Sequence, residues 1–318
     1  MTKHHQPSRR KFLMQGASVV SLAMLPAHVR SFANSETQRL ATTRIACQQY
    51  PWMTLMARDG ASWDNSLTRS LQMVVDSGCL DFEPMLETPK QASHLLAALK
   101  SKQINSYSVY VNSILHDARK VPEQLDNILA VADAIQPYGV KIITTNPAPI
   151  SWDTPKDKSD DELATQVAAL NELGGALKQK GIVLAYHNHD AEMRHGAREF
   201  HHMMRASSAD KVKLCLDAQW IYRGVGNSSL ALMDIVDMYA ARVVSVHLRQ
   251  SFRGTWSETF SQGDIDYASI LQRLRAEHRP MHFVLEQAVE ATSPHTLNAI
   301  QAHRQSLAYA STLIGSEQ

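Results

Sequence analysis

Short apolar runs alternate with longer helical patterns from Arg44 onward, and the last four runs each end in a residue able to bind a metal. His187 follows Gly181-Ile-Val-Leu-Ala-Tyr, and Asp217 follows Val212-Lys-Leu-Cys-Leu. His247 follows Val243-Val-Ser-Val, and Glu286 follows Met281-His-Phe-Val-Leu. The intervals of 30, 30 and 39 residues are about the length of one strand-plus-helix unit. Parallel strands threaded through such units bring their C-terminal ends together. Two imidazoles and two carboxylates would then meet at one point.

The first half of the chain follows the same rhythm. Strands are expected at Arg44 to Gln48, Leu80 to Glu83, Tyr107 to Val111 and Lys141 to Thr145, the third rich in Tyr and Val. Helices are expected from about Asn65 to Asp76, Gln91 to Lys102 and Pro122 to Gln136, the last stopped by Pro137 and Gly139. Pro147, Pro149, Pro155 and Trp152 mark a long loop after the fourth strand. Ser159-Asp160-Asp161-Glu162 then supplies an acidic start to a helix ending near Lys180. Further helices are expected at Ala197 to Ala206, Ser229 to Tyr239, Tyr267 to Glu277 and Ser293 to Thr312. Eight strands, each followed by a helix, predict an α/β fold of the (β/α)8 TIM-barrel type. An open doubly wound sheet would gather ligands at one switch point instead.

The first 33 residues read as an address. Ser8-Arg9-Arg10-Lys11-Phe12-Leu13-Met14 is a twin-arginine pattern, Gly16 to Leu25 is modestly apolar, and Ser31-Phe32-Ala33 ends in small residues. That order describes a signal peptide cleaved after Ala33, too short in its apolar part to span a bilayer. The Tat export machinery is then a partner and the periplasm the destination, with no stable membrane anchor. Residues 34–318 remain as a single barrel domain. The net charge of +1 and interspersed basic residues offer no nucleic-acid groove. Cys47, Cys79 and Cys215 are odd in number, far apart and embedded in apolar runs. Buried structural thiols, rather than a disulfide framework, are the expectation.

A divalent ion held by His187, Asp217, His247 and Glu286 would carry little residual charge, since two carboxylates offset it. Open positions would let adjacent carbonyl and hydroxyl oxygens of a bound substrate chelate it. This polarises the carbonyl and stabilises the charge that forms as the neighbouring C–H proton leaves. Mixed nitrogen and oxygen ligation suits Mn, Co, Zn or Fe better than Mg. A base within hydrogen-bond reach of that carbon is also required, and Glu286 and His189 are the candidates. Asp217 could equally cap the segment that follows it.

With Cys-Leu-Asp-Ala-Gln-Trp around Asp217, Ser-Val-His-Leu-Arg around His247 and Val-Leu-Glu-Gln around Glu286, the chain resembles the xylose isomerase-like superfamily. That superfamily comprises sugar isomerases and epimerases and also contains inosose dehydratases and type IV endonucleases. The resemblance covers Gly181 to Glu290 closely and the first four strands by pattern. It implies a divalent-metal-dependent isomerase or epimerase acting on a keto-sugar or cyclitol, and it places Glu286 slightly ahead of His189 as base. The chain departs from the pattern at the first ligand. His187, in Tyr186-His187-Asn188-His189-Asp190, stands in register with a Glu of the ketose epimerases. A missing carboxylate weakens a symmetric two-base epimerisation and leaves room for a lyase or dehydratase acting on a 3-keto-glycoside or inosose-like substrate.

Around these lie candidate carbohydrate contacts. Trp220 can lay its ring on a sugar face or pack the barrel mouth. Arg249, two residues after His247, can reach a substrate oxygen or pair with an acid such as Asp264. Glu83 can bond a hydroxyl or orient His189, and Tyr222 and Arg223 fit the same rim. Gly263-Asp264-Ile265-Asp266-Tyr267 reads as a tight turn with Asp266 as helix cap. No Gly-rich phosphate loop follows the seventh or eighth strand, which favours a non-phosphorylated sugar. A repair nuclease is opposed by the charge balance, and a non-catalytic sugar-binding protein leaves the ligand residues without purpose. A homodimer is an open option, with no interface located.

Overall fold

The computed structural model describes residues 44–315, so the leader expected at residues 1–33 and the cleavage expected after Ala33 lie outside the described residues. Seven strands come first in chain order: β1 (Ile45–Gln48), β2 (Phe82–Glu83), β3 (Ser108–Tyr110), β4 (Ile142–Thr145), β5 (Val183–His187), β6 (Val212–Asp217) and β7 (Val243–Leu248). A short hairpin of β8 (Ser251–Phe252) and β9 (Thr255–Trp256) follows, and β10 (His282–Leu285) is the last strand. All but the hairpin join one parallel sheet in the order β2-β1-β10-β7-β6-β5-β4-β3. The gap between β2 and β3 is bridged by Asp81 with Asn105 and Met85 with Tyr110. There Tyr110 and Leu86 amides donate to the carbonyls of Pro84 and Tyr110 at 2.8 Å. This is the (β/α)8 barrel that the alternation predicts.

Each helix folds because its apolar residues recur on one face. In α4 (Val121–Ile135), Leu125, Ile128, Val131, Ala132 and Ile135 are buried at the spacing of helical turns. The acidic start of α5 (Asp160–Gln179) is a capping box, in which Ser159 and Glu162 each accept the other's backbone N–H. Helices α2 (Leu67–Ser77), α3 (Pro89–Ser101), α8 (Ser229–Tyr239) and α9 (Tyr267–Arg275) occupy the expected stretches within a few residues, whereas α10 (Ala299–Gly315) starts at Ala299 rather than at the expected Ser293. In α6 (Arg194–Ala206), His195, Gly196 and Ala197 take left-handed dihedrals before the regular helix begins.

Two helices escape the sequence pattern. Helix α1 (Gln49–Arg58) follows β1 with no linker, and Gln48 caps it by accepting the Tyr50 N–H. Pro51 argues against a helix at first sight, yet in a first turn it removes no hydrogen bond. Helix α7 (Ala218–Gly224) likewise starts directly from Asp217. Neither is set off from its strand by a turn residue, so the change from strand to helix leaves no break in the sequence.

The cysteine expectation needs correcting. Cys47 and Cys79 form a disulfide across 32 residues, with Cα atoms 6.4 Å apart, and only Cys215 is a free, buried thiol. The reason is topological: Cys47 lies on β1, Cys79 enters β2, and the two strands are neighbours. Such a bond typically stabilises a fold by about 2–4 kcal/mol.

Helix α10 packs on α1 through His303, whose ring stacks on Trp52 with centroids 3.7 Å apart. Its Nδ1–H donates to the Ala299 carbonyl at 2.8 Å. Burial pushes the His303 pKa down to about 4, whereas the unfolded chain titrates near ~6.5. Between those values the unfolded state binds the extra proton, so stability is full above pH ~6.5 and falls as the pH drops toward 4. At pH 5 the loss from this one group is about 2 kcal/mol. His303→Phe is expected to flatten that acid limb in urea titrations at pH 7 and pH 5; an unchanged difference between the two pH values would refute the assignment.

Candidate metal centre and surrounding mouth

His187 ends β5, Asp217 ends β6, His247 lies near the end of β7 and Glu286 follows β10. In register, His187 faces Cys215, Asp217 faces His247, and His247 faces Val284. That stagger is the strand tilt of a closed barrel, and it lifts residues two steps apart in register to one height. The four side chains are buried, and one ligand atom from each lies within 4.8 Å of all the others. The converging atoms are His187 Nε2, 3.6 Å from Asp217 Oδ2 and 3.5 Å from Glu286 Oε2, and His247 Nδ1, 2.7 Å from Glu286 Oε2. Among the described residues this is the one such group.

Whether the set suits a metal is tested by its polar atoms. His187 Nε2 and Asp217 Oδ2 are buried and have no hydrogen-bond partner. Leaving such atoms dry costs a few kcal/mol each unless something binds them. Asp217 resolves both sequence readings at once, because its Oδ1 accepts the Trp220 N–H at 2.9 Å and caps α7, while Oδ2 faces the cluster. Burial opposes charge on Glu286, but Arg249, His247 and His187 outweigh it and hold its carboxyl well below the usual range. Burial likewise opposes an imidazolium at His247, and Cys215, Glu83 and Glu286 outweigh it and push its pKa well up. Paired carboxylates here draw positive charge onto histidines, the charge that a divalent cation would otherwise supply.

The mouth above the cluster is aromatic. The Trp220 ring stands 5.2 Å from His189 and 5.1 Å from Trp256. Trp152, in the loop after β4, stands 5.1 Å from the other side of His189 and is 62% exposed. Arg249 lies over both Trp220 and Trp256, 5.0 and 4.4 Å from their centroids. Its Nη2 pairs with Glu286 Oε1 at 3.0 Å and its Nε–H donates to the Glu286 carbonyl, while Nη1 is buried without a partner. The alternative partner, Asp264, instead accepts the Ser251 hydroxyl and the N–H groups of Arg253 and Gly254, all at 2.8 Å. This fixes the β8–β9 hairpin that carries Trp256. Gly263 serves the same turn through space, since a Cβ there would collide with the Ser251 carbonyl and the Gln250 side chain. Asp266 caps α9 by accepting the Ser269 N–H.

His189 points into the mouth, 4.9 Å from the His187 ring, with its Nδ1 unpartnered. Burial, and then the neighbouring His187, keep its pKa well below the ordinary value. Its backbone N–H donates to Glu192 Oε2 at 2.7 Å. Arg223 sits over Trp256 but is clamped to Glu290 by hydrogen bonds of 3.1–3.2 Å. Tyr222 is partly buried against the core, with Asp264 the charge that acts on its phenol. Glu83 lies beneath the cluster, with Oε1 3.0 Å from His247 Nε2. The imidazole that Glu83 faces is that of His247, not His189. The chain continues past Glu83 to pair Met85 with Tyr110, which puts Glu83 below the rim.

Tyr110, Trp152 and Trp256 complete the surroundings; none was a site candidate from sequence, where Trp152 marked only a loop. Tyr110 places its hydroxyl 3.5 Å from His187 Nδ1. A polar residue at the C-terminal end of a barrel strand was the available signal. The tryptophans sit on loops, where no periodicity points inward.

The sequence pattern of the family described as xylose isomerase-like TIM barrel matches residues 69–311. The chain belongs to that family. The match includes all four cluster residues and reaches well beyond the C-terminal half that carries the visible motifs. Among curated proteins, none matches the sequence. Solved structures that resemble it include a xylose isomerase-like TIM barrel protein from Mycobacterium smegmatis in complex with magnesium. That protein is 14% identical with a TM-score of 0.64, covering 86% of this chain and 97% of the other. The 3-keto-D-glucoside 4-epimerase of E. coli is 17% identical with a TM-score of 0.58, covering 85% and 99%. The IOLI protein with a bound zinc atom is 14% identical with a TM-score of 0.59, covering 86% and 99%. At such identities the likeness establishes the fold.

Proposed function

We propose that this chain is a divalent-metal-dependent isomerase or epimerase that removes a proton next to the carbonyl of a non-phosphorylated keto-sugar or cyclitol. The observation that carries the reading is the cluster of His187, Asp217, His247 and Glu286, two of whose converging atoms are buried without partners. A divalent ion held there would polarise a substrate carbonyl and stabilise the charge that develops as the adjacent C–H bond breaks. His189 offers the free base, since Nδ1 is unpartnered and the ring is neutral at pH 7. Glu286 already engages Arg249 and both histidines, which suits a ligand better than a base. Arg249 Nη1 is the donor left for a substrate oxygen, and the Trp220 and Trp256 rings offer apolar faces for a sugar. Both mouth arginines are already paired with carboxylates, which argues against a phosphate ligand.

A second reading, elimination from a 3-keto-glycoside or inosose-like substrate, is favoured by His187 standing where a second carboxylate base would be needed. One free base suffices for removing a proton while a neighbouring group leaves. The magnesium and zinc bound by the two relatives support a divalent ion without choosing among metals. The leader in residues 1–33 and the Cys47–Cys79 disulfide, a bond that persists in oxidising compartments, support a periplasmic enzyme delivered by the twin-arginine route.

The test is to incubate the metal-loaded protein with 3-keto-glucosides, ketohexoses and inososes in heavy water. Deuterium next to the carbonyl with the carbon skeleton retained is the expected result for isomerisation or epimerisation. Release of water or of the aglycone would favour the second reading. Neither exchange nor release with any of these substrates would sink both.

A further inference from the structure

Below the cluster the barrel interior is polar, which costs free energy unless every group is held. Glu83 on β2, Ser108 on β3 and His282 on β10 form a buried column beneath His247. Glu83 Oε1 and His247 Nε2 are both buried without a hydrogen-bond partner elsewhere and face each other at 3.0 Å as an ion pair, and Glu83 Oε2 accepts the Ser108 hydroxyl in a short hydrogen bond. The Ser108 oxygen lies 3.0 Å from His282 Nε2. Burial pushes the His282 pKa down to about 4, so at pH 7 its Nε2–H can donate to Ser108 while Ser108 donates to Glu83. The column thus has one direction, from His282 through Ser108 to Glu83.

The other nitrogen of His247, Nδ1, faces Glu286 Oε2 at 2.7 Å inside the cluster. An imidazole can present a lone pair to an ion through one nitrogen only if its proton sits on the other. A carboxylate facing that second nitrogen fixes the tautomer and ring angle, and raises the ligand's basicity. Among the described residues Glu83 is the carboxylate placed at Nε2, while Asp217 and Glu286 belong to the cluster.

We propose that Glu83 is the positioning residue of the metal centre: it holds the Nε2 proton of His247 so that Nδ1 is the ligand atom, and Ser108 and His282 hold Glu83 in turn. This inference rests on the metal reading of the cluster. It differs from a simple buried ion pair, because an ion pair would stabilise the fold without altering how tightly the cluster holds a cation.

The experiment uses the full folded chain, freed of metal, and Co(II) as probe. Affinity is read by competition with a chromophoric chelator, and the cobalt environment by its visible absorption. Glu83→Gln keeps the volume and removes the charge, and Ser108→Ala removes the hydroxyl that fixes the carboxylate. Glu83→Gln is expected to weaken Co(II) by about 10–100-fold and to shift the cobalt spectrum, with Ser108→Ala moving the same way by less. Folding of each metal-free variant is followed by urea denaturation, and Ser108→Ala carries the test should Glu83→Gln not fold. Wild-type affinity and spectrum in the folded variants would overturn the proposal while leaving the metal centre standing. A wild-type protein that binds no Co(II) would overturn both.

Discussion

Asp217→Asn is expected to leave the barrel folded and to weaken its hold on a divalent ion by at least about a hundredfold, since even groups that only support a ligand cost about 10–100-fold. The argument turns on the two oxygens of this side chain. Oδ1 accepts the Trp220 N–H and starts α7, a task that the amide oxygen of Asn performs as well. Oδ2 faces His187 with no hydrogen-bond partner, and only a carboxylate supplies negative charge there. Asp217→Ala removes both, so it should lose the ion and also about 1 kcal/mol of stability through the cap. Metal content by elemental mass spectrometry, together with urea denaturation, separates the two effects. The wild-type chain purified without chelators should carry about one divalent ion, lost in both variants along with isotope exchange. Full metal affinity in Asp217→Asn would remove Asp217 from the ligand set.

His189→Gln should lower turnover by about 10²–10⁴-fold, the usual contribution of a general base, with metal content unchanged. His189 is not one of the four converging residues and has an unpartnered Nδ1. Its lowered pKa sets the sign of the pH profile. A base must be unprotonated to act, and this one stays so below its ordinary ~6.5. The rate should therefore be flat through neutral pH and fall only on the acid side of 6.5, and that limb should vanish in His189→Gln. The rival assignment, Glu286 as base, makes the opposite forecast. In that case His189→Gln retains most of its turnover, and Glu286→Gln loses exchange and metal together.

Much of this was legible in the linear chain because barrel strands repeat a simple pattern. Each run of β-branched and aliphatic residues in β5, β6, β7 and β10 ends within a residue of His187, Asp217, His247 or Glu286. The parallel βαβ unit obliges those ends to share one face. Helices α4 and α5 were equally readable, from their periodicity and, for α5, its capping box. Less legible were α1 and α7, which start directly from a strand end without a turn residue.

Pairings between distant segments were not readable. Cys47 and Cys79 looked like separate buried thiols because their closeness depends on β1 lying beside β2. Arg249 could have met Asp264, fifteen positions on, yet it meets Glu286 just past the neighbouring strand, because Asp264 is consumed in closing the β8–β9 hairpin. Glu83 ends β2 as expected, but which imidazole it faces was not readable: it meets His247 on β7 rather than His189. Sequence by itself determined the barrel and which four residues share its C-terminal face, since both follow from local periodicity and the handedness of parallel connections. Tertiary structure alone decided which atom of each residue faces the centre, which base is left free and what lies beneath. Those depend on strand tilt and on side chains from opposite walls of the barrel competing for the same partner.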